Sequence, residues 1–93
     1  MKYKVKDCYM LREIAGDKIV MPRGESAMDF NGVLVLNDAC AVLWEKLAAF
    51  VSETELSEAL VTAFGISADI AAADTKACIN KMLEFGLLDT END

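Results

Sequence analysis

The run from Val33 to Leu47, Val-Leu-Val-Leu-Asn-Asp-Ala-Cys-Ala-Val-Leu-Trp-Glu-Lys-Leu, constrains the fold more than any other part of the chain. Val33 to Leu36 are all apolar, which suits a short strand with both faces covered or an edge strand waiting for a partner. Asn37 breaks the run, and its side-chain oxygen can accept from free backbone N–H groups at a helix start. Asp38 places a negative charge at the positive end of that helix. Cys40, Leu43, Trp44 and Leu47 fall at i, i+3, i+4 and i+7, one face of a helix. The stretch predicts a strand turning directly into a helix, with Trp44 as the largest core side chain.

The remaining elements arrange themselves around this unit. The 93 residues suffice for one small domain, 1–93, with residues 1–8 expected to be a frayed or edge segment and 89–93 a frayed, solvated acidic tail. Tyr9 to Ile14 reads as a strand with Tyr9, Leu11 and Glu13 on one face. Ala15, Gly16 and Asp17 make a turn, and Lys18 to Met21 a second strand ended by Pro22. Arg23 to Phe30 has a loop composition, and Asn31-Gly32 is a turn dipeptide that launches the third strand, Val33 to Leu36.

The first helix is expected from Asp38 to Phe50. Ser52 and Glu55 match a capping box for a second helix that runs to Phe64, buries Leu56, Ala59, Leu60 and Ala63, and ends at Gly65. Ser67 caps a third helix that runs to Phe85 and is closed by Gly86. Strands first and helices after argue for an α+β domain: a three-stranded antiparallel sheet followed by three α-helices, winged helix-turn-helix-like.

Composition removes several function classes. The chain has no histidine, the commonest general base and zinc ligand, and no residue set stands out as catalytic or metal-binding. Cys8, Cys40 and Cys78 are not spaced as a metal knuckle or redox pair, and each is read as a small buried hydrophobe. No apolar run reaches the roughly 20 residues of a membrane span, and no signal peptide is visible, so a cytoplasmic location is expected.

Residues 1–32 carry six Lys or Arg against five Asp or Glu, whereas residues 33–93 carry three against eleven. The helical half is therefore strongly acidic and repels phosphate backbones. On the third helix, Lys76, Asn80 and Lys81 are set against Asp69, Asp74 and Glu84, a poor surface for reading DNA. Its core stripe is Ala71, Thr75, Cys78, Ile79 and Met82, and apolar surface continues through Ala72 and Leu83 beside the Lys76 stem. That arc of roughly 160° exceeds the roughly 100° a core-facing helix needs. The excess is covered by neighbouring helices or an oligomer partner, or forms a groove for an apolar segment of another chain.

The ordered set Leu11-Arg12-Glu13, Leu36-Asn37 before a helix, Trp44 with Leu47, Thr54-Glu55-Leu56, Asp74 twelve residues before Gly86, and Gly86-Leu87-Leu88 resembles the PqqD family. These are small peptide-binding proteins that act with radical enzymes. The resemblance runs from about Tyr9 to Leu88. The chain departs from the family in having Ala48-Ala49-Phe50 where a Gly is common, and Thr75 where an aliphatic is common.

The resemblance implies a non-enzymatic RiPP (ribosomally made, modified peptide) recognition element. It would bind the leader of a precursor peptide by strand addition and present it to a radical SAM/SPASM maturase, with no cofactor of its own. The implied peptide-binding residues are Val33, Leu34, Val35 and Leu36, through their backbones, and Ala72, Lys76, Ile79 and Leu83 as groove lining. Lys76 and Lys81 could pair with leader carboxylates. No nucleic-acid or membrane partner is expected, and a homodimer through the open edge is the remaining partner expectation. The rival readings are a winged-helix DNA-binding regulator and a quinone-cofactor carrier in PQQ biosynthesis.

Overall fold

The computed structural model describes residues 1–23 and 34–92. The elements, in order, are β1 Lys2–Val5, β2 Tyr9–Ile14, β3 Asp17–Pro22, β4 Leu34–Leu36, α1 Asp38–Lys46, β5 Val51–Ser52, α2 Glu53–Phe64, α3 Ala68–Glu84 and β6 Leu88–Glu91. Two antiparallel sheets result, with orders β2-β3-β4 and β5-β1-β6. The first is the expected three-stranded sheet. The expected Asn31-Gly32 turn and the first residue of the third strand, Val33, lie outside the described residues.

The β2–β3 hairpin closes through Ala15 and Gly16, with Ile14 opposite Asp17. Both loop residues have positive φ, 52° and 87°, as a two-residue turn matching the right-handed twist of the strands demands. Gly16 takes this conformation freely, whereas an alanine Cβ crowds its own carbonyl there. Period-two alternation then sorts the sheet. Leu11, Val20, Leu34 and Leu36 face the core, while Met10, Arg12, Ile19, Met21 and Val35 share the other face.

The second sheet corrects the expectation of frayed ends. Residues 2–5 form its central strand, paired with β6 from Lys2 opposite Glu91 to Val5 opposite Leu88, and with β5 at Lys2–Ser52 and Tyr3–Val51. The two termini thus hold each other. Tyr3 is buried in the core, and lysines at 2 and 4 face acidic residues at 91 and 89, opposite charges that favour the register. Burial raises the Tyr3 phenol above its ordinary pKa, helped by the neighbouring Glu53 carboxylate. The same sheet shortens the first helix. The chain leaves α1 at Leu47, whose carbonyl accepts from Val5 N–H at 2.9 Å, and residues 51–52 become a strand.

The helices form as their caps dictate. Asn37, Ser52 and Ser67 accept from the N–H groups of Cys40, Glu55 and Ile70 at 2.8, 3.2 and 3.3 Å. Gly65 ends α2 in the left-handed conformation. The buried residues of α3 are the expected stripe Ala71, Thr75, Cys78, Ile79 and Met82. They meet Leu43, Trp44 and Leu47 of the first helical segment and Leu56 and Leu60 of α2 in one core. Of the four α2 residues expected inside, Ala59 is half-buried and Ala63 is exposed.

The cysteine expectation is overturned. Cys40 and Cys78 are joined in a disulfide with a Cα–Cα distance of 5.6 Å, and Cys8 is exposed. The two bonded positions are buried as expected, but the apolar stripes of α1 and α3 bring them face to face across the core.

The disulfide spans a sequence separation of 38 residues. Chain-entropy arguments assign a loop of that length about 4 kcal/mol, and measured values are commonly about 2–4. Reducing the bond, or making Cys40→Ala with Cys78→Ala, will lower the unfolding free energy by about 2–4 kcal/mol, read as a lower urea midpoint. Ala15→Asn will raise stability by about 0.5–1 kcal/mol, because Asn tolerates the left-handed conformation that strains alanine; a thermal melt beside the unaltered chain checks this.

Candidate functional site

The site begins with a backbone. β4 pairs with β3 through Lys18–Leu36, Ile19–Val35 and Val20–Leu34. Among the described residues its other edge has no strand partner. Such an edge presents unpaired N–H and C=O groups to any extended chain that arrives. β2 also lies at the outside of the sheet order, and it carries the exposed charged residues Arg12 and Glu13, which discourage pairing. β4 has no charged residue. Leu34 and Leu36 are turned into the core, and Val35, 53% exposed, lies on the opposite face. Among the described residues it is an edge strand covered on one face, which matches the second of the two alternatives that its apolar run allowed.

At the end of this strand, where Asn37 follows Leu36, lies a cleft of about 210 Å³ between the N-terminal turn of α1 and the middle of α3. Asn37, which follows β4 directly, contributes to it with Ala39 and Cys40 from one side, and Asp74, Ala77, Cys78 and Lys81 from α3 on the other. The floor is formed by two alanines and the disulfide, so its depth comes from the smallness of these side chains. The rim is polar. Asp74 and Lys81 sit seven residues apart, roughly 10 Å along the helix axis. The Lys81 ammonium lies 6.0 Å from the centre of the Phe85 ring, within cation–π range.

The cleft is anchored to β4 by one short bond. Asn37 Oδ1 accepts from Cys40 N–H at 2.8 Å, so the end of the strand, the start of α1 and the disulfide move together.

The structure separates the residues that sequence reasoning grouped. Leu34, Val35 and Leu36 form the edge, and Val33 lies outside the described residues. Ile79 is 1% exposed, a core residue with no surface to offer. Ala72 lines a different cleft, between α2 and α3, with Glu53, Ser57 and Glu58. Lys76 and Leu83 are exposed and, at 100° per residue, share Ala72's side of the helix. The cleft next to β4 is on the far side of α3, along Asp74, Ala77, Cys78 and Lys81. Hydrophobic periodicity could not find it because its α3 lining is small or charged. The signal available was the i, i+3, i+4, i+7 spacing of those four residues.

A larger cleft, about 400 Å³, opens between α1 and α2 around Val42, Lys46, Val51 and Glu55, with no residue of β4 in its lining. Among the described residues, no three His, Cys, Asp or Glu side chains cluster to hold a metal ion, and no single helix is long and apolar enough to cross a membrane.

The fold has close counterparts. A lasso peptide synthetase B1 complexed with the leader peptide superposes with a TM-score of 0.72 at 16% identity, over 97% of this chain and 100% of its own. TbiB1 in complex with the TbiA(beta) leader peptide does so with a TM-score of 0.72 at 13% identity, over 97% and 99%. At such identities the agreement is one of architecture. Comparison with curated proteins gives no significant match. The family model for coenzyme PQQ synthesis protein D (PqqD) matches residues 19–88, from the middle of β3 through α3 to the first residue of β6. Matched over residues 19–88, most of its length, the chain belongs to the PqqD family.

Proposed function

We propose that this chain recognises the leader segment of a ribosomally made precursor peptide and presents it to a modifying enzyme of the radical S-adenosylmethionine class. The observation that carries this reading is the uncharged edge of β4, without a strand partner among the described residues, whose end at Asn37 joins a cleft. The two architectural counterparts are both described in complex with leader peptides, which supports it.

Strand addition suits such a task. Main-chain hydrogen bonds to β4 hold the guest with little demand on its sequence, and a neighbouring cleft takes alternate side chains and supplies selectivity. The guest's backbone completes the sheet, while one of its side chains enters between Ala39 and Ala77. Because Leu34 and Leu36 already fill the core, they stiffen the docking edge without touching the guest. Asp74 and Lys81 offer opposite charges to the flanking residues of the leader. In this division of labour the chain supplies recognition and the partner enzyme supplies the chemistry.

Binding can be followed by anisotropy of fluorescein-labelled leader peptides, drawn from short open reading frames in the neighbourhood of the gene. In an isotope-labelled sample the peptide will shift amides of 34–36 and 74–81; shifts confined to the α1–α2 cleft would overturn the reading. Ala77→Trp will fill the cleft and weaken binding at least tenfold, whereas Ala72→Trp, on the other side of α3, will leave it within twofold. Lys81→Glu will reduce affinity by up to about fivefold, since exposed ion pairs contribute about 0.2–1 kcal/mol, and Lys76→Glu will not.

A further inference from the structure

We infer that the oxidation state of the Cys40–Cys78 pair sets the shape of the leader-binding cleft and so controls peptide affinity. This rests on the leader-binding reading and adds a means of regulation to that site.

Three observations converge. Both cysteines line the cleft, so the bond is part of the proposed binding surface as well as of the core behind it. The bond is the covalent tie between the two walls, running from the first turn of α1 to the middle of α3. And Cys40 is coupled to the docking strand, because its N–H is held by Asn37, the residue that ends β4.

A disulfide keeps its sulfurs about 2.0 Å apart, whereas two unbonded heavy atoms settle at roughly 3.5–4.0 Å. Reduction therefore requires the walls to part or the side chains to turn, by more than an ångström in a cleft only two alanines wide. Close-packed walls answer such a change by repacking. Either response alters the floor on which a guest side chain rests, and the Asn37 cap carries the change to the end of β4.

The chemistry needs a thiol reductant. One thiolate of a dithiol attacks a sulfur of the pair, forming a mixed disulfide and releasing the other cysteine as a thiolate. The second thiol of the reductant then displaces the first cysteine. Two electrons pass to the protein, Cys40 and Cys78 take up two protons, and the reductant leaves as its own disulfide. In reducing compartments protein disulfides are uncommon and tend to be transient or redox-sensing, which suits a bond placed at a binding surface.

The test measures affinity for the same labelled leader peptide with oxidised protein, with protein kept reduced by dithiothreitol, and with Cys40→Ala/Cys78→Ala, at a temperature where circular dichroism shows each to be folded. The expected result is at least a fivefold difference between the oxidised and reduced forms, with the double variant indifferent to dithiothreitol. Amide shifts on reduction of the free protein should centre on 37–40 and 74–81. Equal affinity of two folded forms would overturn redox control and leave leader binding standing. Unfolding on reduction would also overturn it, since the bond would then be a staple and not a switch. Absence of binding in every form would remove the leader-binding reading itself, and this inference with it.

Discussion

A three-residue strand cannot satisfy its own backbone, and much of this molecule follows from how β4 resolves that. One edge is satisfied by β3. One face is satisfied by burying Leu34 and Leu36. The strand cannot lengthen forward, because Asn37 turns the chain at once into α1 and commits its side chain to the helix's first free N–H groups. The result is a short rail whose second edge has no strand partner among the described residues. It is held from beneath by the core, where the strand's two leucines cluster with side chains of all three helices.

The second sheet bears on this indirectly. A chain of 93 residues buries a modest fraction of its surface and has little stability to spare. Pairing β1 with β6 closes the ends of the chain on each other, and the disulfide closes a second loop across the core. Val5 and Lys6 also donate to the carbonyls of Leu47 and Leu87, which fixes the exits of α1 and α3. The pairing of the chain ends and the bonds from Val5 and Lys6 involve no residue of β4, whereas the disulfide lies close to its end, so most of the fold is held without drawing on that strand's second edge.

How much of this was legible in the sequence depends on the kind of signal. Caps and glycines were readable because each acts within four residues: Asn37, Ser52, Ser67, Gly65 and Gly86 all stand where local chemistry places them. The buried stripe of α3 was readable because one helix face needs only a period. The outer strands were missed although the alternation was there. Lys2-Tyr3-Lys4-Val5-Lys6 has period two, but its charged half reads as a solvated tail until Asp89 and Glu91 are known to lie opposite. The disulfide was missed for the same reason, since a separation of 38 residues matches no local motif and only packing α1 on α3 brings the two sulfurs together. The cleft was sought where α3 is greasy, along Ala72, Ile79 and Leu83. Ala72 does line a cleft, but against α2, and Ile79 is in the core, whereas the cleft that Asn37 joins is lined on α3 by Asp74, Ala77, Cys78 and Lys81.

Sequence divergence within this architecture follows from the same economy. Chains only 13% and 16% identical to this one keep its fold at a TM-score of 0.72. A rail that works through N–H and C=O groups asks of its own side chains only that alternate ones be apolar and fit the core. Such positions accept many residues, because cores tolerate substitution that conserves volume and pattern. A cleft walled by a helix can change its chemistry independently, one exposed residue at a time, as at Asp74, Ala77 and Lys81. On the proposed reading, a backbone that holds is separate from a helix face that discriminates, so guest preference can shift without disturbing the strand edge. In this chain that helix face is bonded covalently to the first turn of α1, directly after β4, so strand edge and helix face are distinct in sequence and joined at one pair of sulfur atoms.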